Sequence, residues 1–164
     1  MTVVAVQDGW ERSLITEMDW AYLAGLTDGE GGLNILLRTT PSQRKVGRGY
    51  AREFRLIITN GSKDLLLSMA ETFKLGKVYR QPIEWSKTHR VSVFTIRFGA
   101  NDLRVILPKI LPYVRLKKLV AELMLKELNT VKNVHHSKAK ELMLLHMDED
   151  FREACLKTPG NKCQ

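Results

Sequence analysis

Trp20-Ala-Tyr-Leu-Ala-Gly-Leu-Thr-Asp-Gly-Glu-Gly-Gly32 places two carboxylates, Asp28 and Glu30, among glycines at the end of an apolar run. The run before them reads as a helix. Thr16 stands where an N-cap belongs, and Asp19 occupies the reciprocal position of a capping box, which more often holds Glu or Gln. The helix must stop near Asp28, because Gly29, Gly31 and Gly32 follow. A helix C-terminus exposes carbonyls with partial negative charge, so added carboxylates there are unfavourable unless a cation sits close by. Hard divalent ions such as Mg²⁺ take this kind of oxygen ligand. Taken alone, the stretch fits either a cation site or a polar turn carrying two solvated acids.

Outward from this stretch, helical and strand patterns alternate. Gly32 to Thr40 reads as a strand, and Pro41 to Gly49 as a basic loop. Tyr50 to Asn60 is a second strand, with Phe54, Leu56 and Ile58 on one face and Glu53, Arg55 and Ile57 on the other. Ser62 caps a helix over residues 63–74, and Gly76 stands in the place of a C-cap glycine. Residues 77–85 and 89–98 form a hairpin around Ser86-Lys-Thr88, with Phe94, Ile96 and Phe98 toward the core and Val91, Val93, Thr95 and Arg97 away from it. Asn101 caps a short helix that Pro108 and Pro112 disturb. Arg115 to about Lys132 is a helix built on Leu116, Leu119, Val120, Leu123 and Met124, and residues 138–156 form a last helix. The order predicts an α+β fold: a four-stranded antiparallel sheet with helices on one face and a polar, basic face left open.

The 164 residues suit one domain, and the formal charge is +8. That charge is unevenly spread. Residues 1–30 hold one base, Arg12, against six acids, whereas residues 38–63 hold seven bases against Glu53 alone. A basic middle beside an acidic start fits a polyanion-binding surface next to an acidic spot, or simply a solvated basic face. No apolar run approaches a membrane span, the N-terminus has no signal-like pattern, and the two cysteines, Cys155 and Cys163, make no disulfide framework. These features lead us to expect an intracellular protein, in a prokaryotic cytoplasm or an organelle, and no membrane partner. No Cys-x₂-Cys or His-x₃-His pair supports zinc, and no phosphate-cradling glycine loop stands in the required context.

Leu23-Ala-Gly-Leu-Thr-Asp-Gly-Glu-Gly31 resembles the LAGLIDADG motif of homing endonucleases at nearly every position. The resemblance extends over roughly residues 13–130 and implies the αββαββα fold. It divides the chain into an N-terminal extension (1–12), one endonuclease domain (13–157) and a tail (158–164). One motif per chain implies a C₂ homodimer, with motif helices packed along small residues; Leu23, Ala24 and Leu26 are the expected interface, with Gly25 beside them.

The resemblance also implies a metal-dependent, site-specific endonuclease acting on double-stranded DNA. Glu30 matches the second acidic position and is the expected metal ligand, with the Gly29 carbonyl beside it. Mg²⁺ is the expected cofactor; Mn²⁺ would substitute, and Ca²⁺ would bind without supporting cleavage. Asn60 matches a position that orients water, and Lys117 a basic position of the active-site rim, so Glu30, Asn60 and Lys117 form the expected catalytic set. Asp28 is expected to be structural. A further basic position of the family falls on Asp64 here, or on Lys63 if the register moves by one.

The open face of the sheet would then enter the major groove, which admits β-ribbons and displays a full donor and acceptor code. Asn34, Arg38 and Thr40 come from the first strand, Glu53, Arg55 and Ile57 from the second. Lys77, Tyr79 and Gln81 come from the third, Thr95 and Arg97 from the fourth. Arg44 and Arg48, in the basic loop, are expected on phosphates. Two symmetric half-sites imply a long, near-palindromic target. The alternatives are an RNA-splicing maturase or an inactive nucleic-acid-binding relative. A ribosomal-type RNA-binding protein would usually show more base-stacking aromatics on its sheet and leaves the carboxylate–glycine cluster unexplained.

Overall fold

The computed structural model describes residues 15–38, 51–81, 92–133 and 138–159. Its elements are α1 (Glu17–Gly29), β1 (Gly31–Arg38), β2 (Ala51–Asn60), α2 (Lys63–Phe73), β3 (Lys77–Arg80), β4 (Phe94–Phe98), α3 (Ala100–Ile110), α4 (Lys118–Asn133) and α5 (Lys138–Lys157). The four strands form one antiparallel sheet in the order β1-β2-β4-β3, and the helices pack on one face, as the sequence predicts. No helix among the described residues is long and apolar enough to cross a membrane.

Alternation fixes which face of the sheet is covered. Leu33 pairs with Leu56, and Leu56 with Phe98, making one apolar rank; Ile58, Ile96 and Val78 make the next. Leu33, Leu56, Ile58, Ile96 and Phe98 have no exposed surface. Against them lie Leu23 and Ala24 of α1, Leu66 and Phe73 of α2, and Leu103, Ile106 and Leu107 of α3. Trp20 packs on Phe73 with ring centroids 4.9 Å apart, tying α1 to α2.

The helix starts follow the capping chemistry. The Thr16 hydroxyl accepts from the Asp19 amide at 3.2 Å, and the Asp19 carboxylate accepts from the Thr16 amide at 2.7 Å. Ser62 accepts from the Leu65 amide at 3.3 Å. Three local expectations are corrected. Asn101 does not cap α3: the N-cap is Gly99, whose amide donates to Asp102, and Pro108 sits inside the helix, which continues to Ile110. The residue that ends α2 in left-handed conformation is Lys74 (φ 52°), while Gly76 (φ 79°) leads into β3 with Phe98 packed over it, where a Cβ would meet a ring carbon at 2.7 Å. Of the apolar face expected for α4, Val120 and Met124 are fully buried, joined by Ala121 and Leu128, whereas Leu119 and Leu116, which precedes the helix, are 55% and 60% exposed.

Behind the sheet, α4 and α5 meet the start of β2 through a buried polar cluster. Arg52 reaches Asp148 at 2.9 Å and Glu127 at 3.0 Å, with all three side chains under a tenth exposed. Cys155, 1% exposed in the neighbouring core, is disulfide-bonded, and the other cysteine, Cys163, lies outside the described residues.

Candidate active site and nucleic-acid interface

Glu30 is the C-cap of α1, and its amide donates to the Leu26 carbonyl at 2.8 Å. The carboxylate is exposed, at the end of the helix dipole that disfavours it. Asn60, the last residue of β2, donates Nδ2 to Glu30 Oε2 at 2.7 Å. The Asn60 Oδ1 atom accepts from the Ser62 amide at 2.8 Å, so the same side chain anchors the turn into α2 and orients the acid. Strand β2 and helix α1 thus bring together two residues that stand 30 positions apart. Among the described residues no arginine or lysine pairs with Glu30.

Immediately after Glu30 the chain passes very close to the helix it has just left. A Cβ on Gly31 would lie 2.7 Å from the Thr27 carbonyl oxygen and 2.8 Å from its Cα, so only glycine permits this turn. Thr27 itself is fully buried, its hydroxyl donating to the Leu23 carbonyl at 2.8 Å.

Asp28 and Lys117 exchange places with one another's backbone. The Asp28 carboxylate accepts from the amides of Arg115 (2.7 Å), Leu116 (3.2 Å) and Lys117 (3.0 Å), a cap on the turn that opens α4. In return Lys117 Nζ donates to the carbonyls of Thr27 (2.9 Å) and Asp28 (2.7 Å) in the last turn of α1. Lys117 has no exposed surface, and burial pushes its ammonium below the usual lysine range while Asp28 opposes that shift. The structural role expected for Asp28 is therefore visible in detail. Lys117 is not on the rim: its ammonium holds the motif turn from inside, and its neighbour Lys118 is the exposed base. Lys63 and Asp64 are both exposed at the start of α2.

The donor set fits a hard divalent ion. An exposed carboxylate with an amide as its hydrogen-bond partner, beside the exposed Gly29, offers anionic and carbonyl oxygen without a competing cation. Among the described residues no group of three or more His, Cys, Asp or Glu gathers within the chain.

The residues expected to face a second copy do not all lie on the outer side of α1. Leu23 and Ala24 have no exposed surface and belong to the chain's own core, because α1 turns that side toward the sheet; Leu26 is half-buried. The outward stripe is Met18 (81% exposed), Tyr22 (52% exposed), Gly25 and Gly29, which recur at helical spacing on one side of α1. A Cβ at Gly25 or Gly29 would meet nothing within 4 Å.

On the open face of the sheet, Lys77 and Tyr79 are exposed, and Asn34, Glu53, Arg55, Ile57, Gln81 and Arg97 are half-buried. Ile57 pairs with Arg97 and Arg97 with Lys77, so one rank crosses three strands. Arg97 lies over the Tyr79 ring, 5.0 Å from its centroid. Thr95 is the exception: it is fully buried, its hydroxyl taken by Gln81 Nε2 at 2.6 Å and by Thr59 at 3.3 Å, and so is not offered to a groove. Arg38 is placed by its backbone in β1. Thr40, Arg44 and Arg48 lie outside the described residues.

No family model matches the chain, and no curated protein matches it. Solved structures do. The homing endonuclease I-CvuI, crystallised with its target in the presence of calcium, is similar with a TM-score of 0.65 and 22% identity over 90% of this chain and 87% of that one. The archaeal intron-encoded homing endonuclease I-Vdi141I, complexed with DNA, is similar with a TM-score of 0.68 and 15% identity over 90% and 89%. The LAGLIDADG meganuclease I-CpaMI, bound to uncleaved DNA, is similar with a TM-score of 0.61 and 20% identity; this chain spans 55% of its length. The chain has the fold of the LAGLIDADG homing endonucleases. Its length corresponds to nearly the whole of an I-CvuI or I-Vdi141I chain and to about half of an I-CpaMI chain.

Proposed function

We propose that this protein is a site-specific DNA endonuclease that works as a homodimer and hydrolyses phosphodiesters with Mg²⁺. The observation that carries this reading is the exposed Glu30 carboxylate, held by Asn60 on a helix end that repels it. A protein keeps an acid in such a place when a cation is to be bound there. The outward stripe of α1 supplies the second half. Open Gly25 and Gly29 let a second α1 approach closely, and Met18 and Tyr22 give it apolar surface to cover. That packing would bring two Glu30 carboxylates and two Gly29 carbonyls together.

Glu30 and the Gly29 carbonyl would hold the metal, which when bound supplies an activated water and stabilises the leaving oxygen. Asn60 fixes the direction of the Glu30 carboxylate, and its amide is itself fixed by Ser62. Lys117 and Asp28 lock the end of α1 to the start of α4, which keeps the turn bearing Gly29 and Glu30 in register. The exposed basic side chains Lys77 and Lys118 attract the polyanion, and the open face of the sheet reads bases. I-CvuI and I-Vdi141I, which share the fold, have each been seen with DNA, which supports duplex DNA as the partner.

The test is cleavage by purified full-length protein of DNA from its intronless host locus. One double-strand cut is expected with Mg²⁺ or Mn²⁺, and binding alone with Ca²⁺. Binding without cutting under every divalent metal would leave a binding protein or maturase in place of a nuclease.

A further inference from the structure

We propose that Arg55 determines specificity, with Glu53 as its positioning residue, and that the pair selects a guanine in each half-site; this rests on the DNA-binding reading above. Both residues lie on the open face of β2, the strand flanked by β1 and β4, and Arg55 stands across from Asn34 of β1. Glu53 Oε1 accepts from Arg55 Nε at 2.6 Å and also pairs with Nη2. The arginine side chain is 19% exposed, so most of it is covered and a part remains open to solvent. Among the described residues Glu53 is its one ionic partner, and no Arg55 nitrogen is both buried and unpaired.

The geometry decides what such an arginine can recognise. A guanidinium has five N–H donors in a fixed plane. Glu53 occupies the edge made by Nε and Nη2, which leaves the other edge, Nη1 with the second Nη2 hydrogen, unclaimed by Glu53. Two parallel donors match the O6 and N7 acceptors of guanine in the major groove. The charge argues the same way. A phosphate contact is favoured by an uncompensated cation, whereas Arg55 already has a carboxylate, Glu53, against it. What remains is directional hydrogen bonding, which an uncharged base edge can use. Glu53 also removes the entropy of a swinging side chain before DNA arrives. With one oxygen of Glu53 spent on Arg55, we assign it to aiming that side chain, in place of the cytosine contact expected for it alone.

The experiment is selection of binding sites from a randomised duplex library by the full-length protein in Ca²⁺, for wild type, Arg55→Ala, Arg55→Lys and Glu53→Gln, with melting temperature and salt dependence measured for each. Wild type should enrich a half-site with one guanine preferred roughly ten- to a hundred-fold over other bases. Arg55→Ala and Arg55→Lys should both flatten that position and leave the others intact, since lysine keeps the charge but lacks the fork. Glu53→Gln should weaken the same position and no other, an outcome that a general loss of stability would not give. Arg55→Ala that lowers affinity for all sequences evenly and shallows the salt dependence would make Arg55 a phosphate contact and overturn the proposal. So would Glu53→Gln changing a cytosine preference elsewhere in the site. If wild type enriches no duplex at all, the DNA-binding reading itself falls, and this assignment with it.

Discussion

Replacing Glu127 by Gln should change how the stability of the protein depends on pH. Glu127 of α4 and Asp148 of α5 share one guanidinium, Arg52 of β2. Neither Glu127 oxygen has an aligned hydrogen-bond donor, and the side chain is 1% exposed. Burial, with Asp148 close by, pushes Glu127 from 4.5 up to about 8. At neutral pH the folded protein therefore holds a proton on Glu127 that the unfolded chain has released. Stability falls with pH wherever the native state binds more protons than the unfolded one. The favourable contribution is complete below pH 4.5 and is lost as pH rises toward 8. One fully linked proton corresponds to about 1.4 kcal/mol per pH unit, so wild type should lose roughly 2–3 kcal/mol relative to Glu127→Gln between about pH 5.5 and 7.5. The amide copies the shape of the protonated acid and does not titrate. Urea unfolding at several pH values, followed by tryptophan fluorescence, gives the difference directly. Parallel stability curves, or a wild type that gains on the variant as pH rises, would show that Glu127 is ionised beside Arg52 and refute the argument.

Two further outcomes follow from the geometry. Lys117→Met keeps the buried stem but removes two charge-assisted hydrogen bonds to the end of α1, and should destabilise the fold by about 2–4 kcal/mol in the same urea assay; an unchanged midpoint would show that Lys117 does not hold the motif turn. Gly25→Leu should leave the single chain as stable or slightly more so, because its Cβ meets nothing and leucine is the better helix former, yet it should shift sedimentation from dimer to monomer and abolish cutting. A Gly25→Leu dimer that still cuts would remove α1 from the interface.

Much of the fold was legible because period and capping agree along the chain. The two-residue alternation of Phe54-Arg-Leu-Ile-Ile58 and the Thr16/Asp19 box both appear as expected. What the sequence could not supply is which side of a nearly all-apolar helix faces inward. In Leu23-Ala-Gly-Leu26 every residue is apolar or small, so only the packing of α1 on the sheet separates buried Leu23 and Ala24 from outward Gly25. The same ambiguity hid the exposure of Leu116, in the turn before α4, and of Leu119 in its first turn. Glu30 and Asn60 come together as the resemblance implied, and their 2.7 Å contact needs the whole β1–β2 register to form. Lys117 is buried and not on the rim because the turn before α4 comes close to the end of α1, an approach that no local signal announces. Thr95 alternates correctly onto the open face, yet Gln81 covers its hydroxyl.

The most direct measurement compares wild type and Glu30→Gln on the same cognate duplex, reading affinity in Ca²⁺ and strand scission in Mg²⁺. Comparable affinities, with scission abolished in the variant alone, are the predicted result. Equal scission by both proteins would mean that the carboxylate at the end of α1 does not gather the catalytic ion, and the account would fail.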